Sequence, residues 1–78
     1  MSFLIRPRAP RYLAQPQARA LDTWRAAARR VQLRWDTFLE ADGASRPGAF
    51  AAYLAALAAE AAAAGELAGA QSDLAEAA

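Results

Sequence analysis

A regular apolar stripe in the first half of the chain constrains its fold more than any other feature. Apolar residues recur there at alternating steps of three and four positions: Leu21, Trp24, Ala28, Val31, Trp35 and Phe38. This average spacing of 3.5 residues is the heptad repeat of a helix that packs lengthwise against another helix. The stripe therefore predicts an all-α fold with this helix at its centre.

The ends of the first helix are predicted from proline and glycine. Prolines interrupt the first sixteen residues, and proline fixes φ and lacks a backbone N–H donor. Residues 1–15 are therefore expected to form an extended basic arm. The helix is expected to begin near Pro16, since proline is tolerated in a first helical turn, and to end near Asp42, because Gly43 supplies a stop.

A second helix is predicted after a short connection. Pro47 opens it, with Ser45 or Arg46 at the cap position, and Gly65 is expected to end it near residue 64. Because the connection is only about five residues long, residues 16–65 should form an antiparallel two-helix hairpin. Residues 66–78 are expected to form a short helical extension or a frayed tail, because glycine weakens a helix.

The two apolar patterns match in an antiparallel register centred on the turn. Phe38 should meet Phe50, and Trp35 should meet Tyr53 and Leu54. Val31 should meet Leu57, and Glu60 should lie at the edge near Arg25 or Arg29. Farther from the turn large residues face small ones, as with Trp24 against Ala64. The predicted core consists of Leu21, Trp24, Val31, Trp35, Phe38, Phe50, Leu54 and Leu57.

The charges are distributed unevenly along the chain. Residues 1–34 hold eight arginines and one acid, a net charge of +7, whereas residues 35–78 hold one arginine and seven acids, a net charge of −6. Like-charge pairs such as Arg25 and Arg29 do not stabilise an isolated helix. We therefore predict a partner-binding surface composed of Arg6, Arg8, Arg11, Arg25, Arg29 and Arg30. A solvated arginine face is the alternative interpretation.

The composition argues against most site chemistries. The chain has no cysteine, no histidine and no lysine. Zinc sites use Cys or His, and the usual bases and nucleophiles are among these missing types. Gly43 and Gly48 have the first spacing of a phosphate-binding loop, but Ala49 and Phe50 stand where lysine and a hydroxyl residue are required. No catalytic, cofactor-binding or metal-binding residues are therefore predicted.

The short length of the chain determines which kind of function we expect. Seventy-eight residues form one small domain, and a two-helix hairpin leaves part of its apolar surface uncovered. We expect a non-enzymatic protein–protein interaction module, a small structural or adaptor subunit that binds a protein partner or forms a homo-oligomer. The alternative is a nucleic-acid-associated regulatory protein that uses the basic N-terminal half.

A cytoplasmic location is expected, and a membrane partner is disfavoured. The apolar residues 3–5 are too few for the apolar region of a signal peptide. Residues 47–64 approach the length of a membrane span, but Glu60 would be costly in hydrocarbon, and alanine is only weakly apolar.

Overall fold

The computed structural model describes residues 11–77, with all side chains in that range except those of residues 11–14, 74 and 77. Two helices make up this part of the chain. The first, α1, is Arg11–Glu40 and the second, α2, is Arg46–Ala77. They pack against each other as an antiparallel hairpin, which confirms the all-α prediction. Residues 1–10 of the predicted arm lie outside the described residues.

The first helix begins five residues earlier than the sequence pattern indicates. Residues 11–15, predicted as extended, are helical, and Pro16 lies inside α1. Pro16 removes only the hydrogen bond that its N–H would donate to the carbonyl of residue 12, close to the helix start. The preceding residues include arginine, leucine, alanine and glutamine, which are good helix formers and favour the additional turn.

An aspartate holds the turn between the helices. Asp42 Oδ1 accepts a hydrogen bond from the Ser45 N–H at 2.9 Å, and its carbonyl accepts one from the Arg46 N–H at 2.8 Å. Ser45 directly precedes α2, as predicted, and its own carbonyl accepts the Ala49 N–H at 3.0 Å. At the start of α2 the capping side chain is therefore that of Asp42, which accepts the Ser45 N–H. The sequence pattern had placed the cap at Ser45 or Arg46.

The second helix does not stop at Gly65. It is continuous to Ala77, so the separate extension predicted after residue 65 is part of α2. None of the glycines adopts a positive φ, the conformation that commonly ends a helix at glycine. Gly65 and Gly69 instead sit within an alanine-rich sequence, and alanine has the highest helix propensity. Two isolated glycines therefore weaken this helix without ending it.

The register of the hairpin agrees with the prediction near the turn. The rings of Phe38 and Phe50 lie 5.5 Å apart between centroids, and those of Trp35 and Tyr53 lie 5.1 Å apart. The residue numbers of both pairs add to 88, as expected for antiparallel helices joined by a turn centred on residue 44.

The most buried side chains are small. Ala27, Ala56 and Ala63 are 4–5% exposed and are the buried hydrophobic residues of the described chain. Of the eight predicted core residues, Leu21, Trp24, Val31, Phe38 and Leu57 are half-buried, while Trp35, Phe50 and Leu54 are exposed. This corrects the expectation of a core built from large residues. Only small side chains fit where the two helices approach most closely, and a single neighbouring helix cannot cover a large side chain completely.

Candidate interaction surfaces

Four aromatic rings and one guanidinium group form a cluster at the turn end of the hairpin. Trp35 contacts Phe38 as well as Tyr53, with ring centroids 5.5 Å apart, and Phe50 lies 6.3 Å from Tyr53. The Arg46 guanidinium lies 5.5 Å from the centroid of the Phe38 ring and donates a hydrogen bond to the carbonyl of residue 41 at 3.3 Å. Aromatic and cation–π contacts therefore fix the two helices to each other next to the turn.

One side of this cluster is open to solvent. Trp35, Leu39, Phe50 and Leu54, here called the apolar patch, are 37%, 57%, 44% and 48% exposed. Trp35 and Leu39 lie one helical turn apart on α1, and Phe50 and Leu54 lie one turn apart on α2. Tyr53 contacts both Trp35 and Phe50, so the two halves of the patch lie on the same side of the line between the helices. The four side chains therefore form an exposed apolar surface on one side of the hairpin.

The other side of the helix pair carries an arginine groove. This open, shallow groove of about 210 Å³ is lined by Arg30, Arg34, Ala52, Ala55, Ala56 and Ala59. Successive residues of a helix are separated by about 100°, so Arg34 and Trp35 project to opposite sides of the line between α1 and α2. The hairpin thus presents an apolar surface on one side and a basic, alanine-floored surface on the other.

The predicted arginine surface is only partly assembled in the described residues. Arg6 and Arg8 lie outside them, and Arg11 opens α1 but its side chain is not described. Arg25, Arg29 and Arg30 are all exposed. They cover a wide arc of α1, because Arg25 and Arg30 are five residues apart and so point about 140° apart.

The structure groups Arg30 with Arg34, which was absent from the predicted set. Their spacing of four residues was the sequence signal for that pair, since residues four apart share one helix face.

The environment of Asp42 at the turn changes the pKa of its carboxyl group. The hydrogen bond from the Ser45 N–H lowers the pKa of Asp42 below its ordinary value of 3.8, because the charged carboxylate is the better acceptor. This carboxylate remains open to solvent. Its role is therefore to hold the turn.

The groove contains no nucleophile or titratable base. Its floor is alanine, and its two basic side chains are arginines, which are hydrogen-bond donors and offer no acceptor. Within residues 11–77, no group of three or more acidic, cysteine or histidine side chains is placed to hold a metal ion.

The second helix has the length and composition of a membrane span. The most apolar 18-residue window within Arg46–Asp73 has a mean hydropathy of 1.4, and only 11% of that window is buried in the hairpin. By itself this is weak evidence, since core helices of soluble proteins meet the same criteria.

A comparison with protein-family models, curated proteins and solved structures gives no match to this chain.

Proposed function

We propose that the chain is a non-enzymatic protein–protein interaction module that acts as a small structural or adaptor subunit of a larger assembly. The observation that supports this proposal is the apolar patch. Two aromatic and two leucine side chains stand side by side on one surface of a hairpin whose buried residues are alanines. Small domains usually need additional burial to be stable, and a partner seated on the patch supplies it.

The location that accompanies this proposal is cytoplasmic. Glu60 argues against the alternative of a spanning α2, because this carboxylate is half-buried at the middle of the helix and would be costly in hydrocarbon. The apolar surface of α2 is instead suited to packing against protein, in the manner of a helix bundle.

Replacement of the two leucines of the patch tests the proposal. The double variant Leu39→Gln/Leu54→Gln should keep its helix content while losing self-association in sedimentation velocity, or losing the protein that copurifies with the tagged wild-type chain. Leu33→Gln is the matched control, because Leu33 is 58% exposed on the outer surface of α1 and lies outside the patch.

A wild-type chain that unfolds cooperatively as a monomer and retains no protein partner would contradict the proposal. A double variant that associates as strongly as the wild type would contradict it as well, because the patch would then contribute nothing to binding.

The second candidate function is a nucleic-acid-associated regulatory protein. The observation that favours it is the arginine groove, where two exposed cations lie one helical turn apart above a floor of small side chains. Arg25 and Arg29 extend this basic surface around α1. Arginines spaced in this way contact phosphates without reading sequence.

Salt-dependent binding to a labelled duplex tests this second candidate. Each phosphate contact should lower log affinity by about 0.9 per unit of log salt concentration, so Arg30→Gln/Arg34→Gln should reduce the slope by about 2. Arg46→Gln is the matched control, because Arg46 stacks on Phe38 at the turn, away from the groove. Absence of binding at low ionic strength to the duplex and to a single strand of the same length would contradict this function.

A further inference from the structure

We propose that the partner on the apolar patch is a second copy of this chain, packed patch to patch with the turns of both hairpins at the same end. This inference rests on the proposed function, because it names the occupant of the same surface. Two independent features of the described chain lead to it: the position of the patch along the hairpin, and the distribution of charge between the two helices.

The patch lies wholly at the turn end of the molecule. Trp35 and Leu39 belong to the last six residues of α1, and Phe50 and Leu54 to the first nine of α2. At 1.5 Å per residue, these side chains lie within about 15 Å of the turn along a hairpin about 45 Å long. Two such hairpins with fully overlapping helices bring their patches together only if both turns lie at the same end.

With the turns at opposite ends, the two patches of fully overlapping hairpins would be separated by about 30 Å along the helix axes. Each patch would then face the alanine-rich open end of the other copy. The patches would meet in that orientation only if the hairpins overlapped by their turn ends alone, and most of the remaining apolar surface would stay exposed.

Charge distinguishes the same two arrangements. In α1, residues 19–34 hold five arginines and one aspartate, a net charge of +4, whereas residues 60–77 of α2 hold four acids and no basic residue, a net charge of −4. Two-fold symmetry with the turns together places α1 of one copy over α2 of the other, so opposite charges meet. Turns at opposite ends place α1 over α1, so two helices of the same net charge lie together, which is unfavourable. Arg30 and Arg34 line the groove on the other side of the hairpin and do not face the second copy in either arrangement.

One charge pair is specific to the arrangement with the turns together. Arg25 lies two heptads before Leu39, so it shares the patch side of α1, and Glu60 lies one heptad after Tyr53 on α2. None of the hydrogen bonds described for this chain involves either side chain. In the register of the hairpin, Arg25 of one copy lies within about one helical turn of the level of Glu60 in the other.

Charge exchange between copies tests this pair. We expect Arg25→Glu and Glu60→Arg to raise the dimer dissociation constant about tenfold each at low ionic strength, because like charges then face each other twice per dimer. An equimolar mixture of the two variants should regain wild-type affinity, since both pairs are opposite in sign in the mixed dimer. Arg29→Glu changes the net charge of the same helix on its outer surface and should shift the constant by less than about threefold.

The mixing result separates contacts between copies from contacts within one. If Arg25 and Glu60 interacted only within a hairpin, each variant would keep its like-charge pair in the mixture, and no recovery would occur. Circular dichroism of each variant establishes that the hairpin remains folded. Absence of recovery in a mixture of folded variants would overturn the proposed arrangement.

A distance measurement tests the orientation directly. The chain has no cysteine, and a side chain at Gly43 meets no other atom within 4 Å, so Gly43→Cys introduces a single label site at the turn. Spin labels at this site should be separated by less than about 30 Å in the proposed dimer and by at least about 45 Å if the turns lie at opposite ends. The longer distance would overturn the inference.

Failure of the inference is distinguishable from failure of the proposed function. If the wild-type chain remains monomeric at high micromolar concentration, the proposal that a second copy binds the apolar patch is wrong. If this monomer binds another protein and loses that binding in Leu39→Gln/Leu54→Gln, the interaction module stands with a different partner. If it binds nothing, both proposals fail.

Discussion

The indole ring of Trp35 lies 5.1 Å from the ring of Tyr53, with the two planes tilted by 50°. This contact joins α1 to α2 one helical turn from the pair formed by Phe38 and Phe50, so four rings lie in two successive layers next to the turn. Aromatic pairs at such distances contribute about 0.5–1.5 kcal/mol beyond the area that they bury. The turn end should therefore be the most stable part of the hairpin.

Removal of the Trp35 ring should destabilise the protein by about 2 kcal/mol, below the 3–5 kcal/mol typical of a fully buried aromatic residue. The loss is smaller because Trp35 is exposed in part and leaves no closed cavity when it is truncated. Urea unfolding of Trp35→Ala, followed by circular dichroism at several protein concentrations, measures this free energy.

Leu33→Ala serves as the comparison, since Leu33 lies on the outer surface of α1 and should change stability by less than about 0.5 kcal/mol. Equal losses in the two variants would mean that the ring contacts of Trp35 contribute nothing to the hairpin.

Asp42 should make the stability of the turn depend on pH. Its native pKa is lowered by the hydrogen bond from the Ser45 N–H, so the folded state favours the carboxylate. The stabilisation is complete above the unfolded value of 3.8 and is lost as the pH falls through the lower native value. The melting temperature of the wild type should therefore fall on acidification, beyond any common effect of the other carboxyl groups.

Asp42→Asn isolates this contribution, because the amide oxygen still accepts a hydrogen bond but does not titrate. The difference in melting temperature between wild type and Asp42→Asn should shrink between roughly pH 5 and pH 2. A constant difference over that interval would show that the Asp42 carboxylate is not specifically stabilised in the folded state.

The sequence predicted the two helices and their register, but it did not predict which side chains are most buried. The heptad stripe and the short turn specify an antiparallel hairpin, and Phe38 meets Phe50 as the register requires. The identity of the most buried residues was not accessible from the pattern. Ala27 adjoins the predicted stripe position Ala28, and a small rotation of α1 decides which of the two lies closest to α2.

The division into two surfaces also depends on that rotation. Arg34 and Trp35 are neighbours in the sequence and lie near the two borders of the helix contact. The spacing of residues four apart predicts which side chains share a face, but the axial rotation of α1 decides which side of the hairpin each face occupies. The grouping of Arg30 with Arg34 in one groove follows from this rotation, which explains why Arg34 was absent from the predicted set.

Continuity of α2 through Gly65 can be tested by substitution. A Cβ atom at Gly65 would meet nothing within 4 Å, and the residue has no positive φ, so Gly65→Ala introduces no clash. If the helix is continuous there, the variant should be more stable by about 0.5–1 kcal/mol, measured by urea unfolding.

The reverse change, Ala61→Gly on the exposed side of the same helix, should cost a similar amount. A Gly65→Ala variant with unchanged or reduced stability would support the helix end that the sequence pattern predicted near residue 64.

Arg46 should stabilise the turn through the planar shape of its guanidinium group as well as through its charge. Its guanidinium lies 5.5 Å from the centroid of the Phe38 ring and donates to the carbonyl of residue 41, so it bridges the end of α1 and the start of α2. Arg46→Gln should lower the free energy of unfolding by about 0.5–1 kcal/mol, as expected for a cation–π contact at an exposed site. Arg46→Lys keeps the charge but lacks the planar group that stacks and donates at the same time, so it should recover only part of the loss. Full recovery by lysine in urea unfolding would show that charge alone accounts for the effect, and equal losses in both variants would show that the planar hydrogen-bonded geometry accounts for all of it.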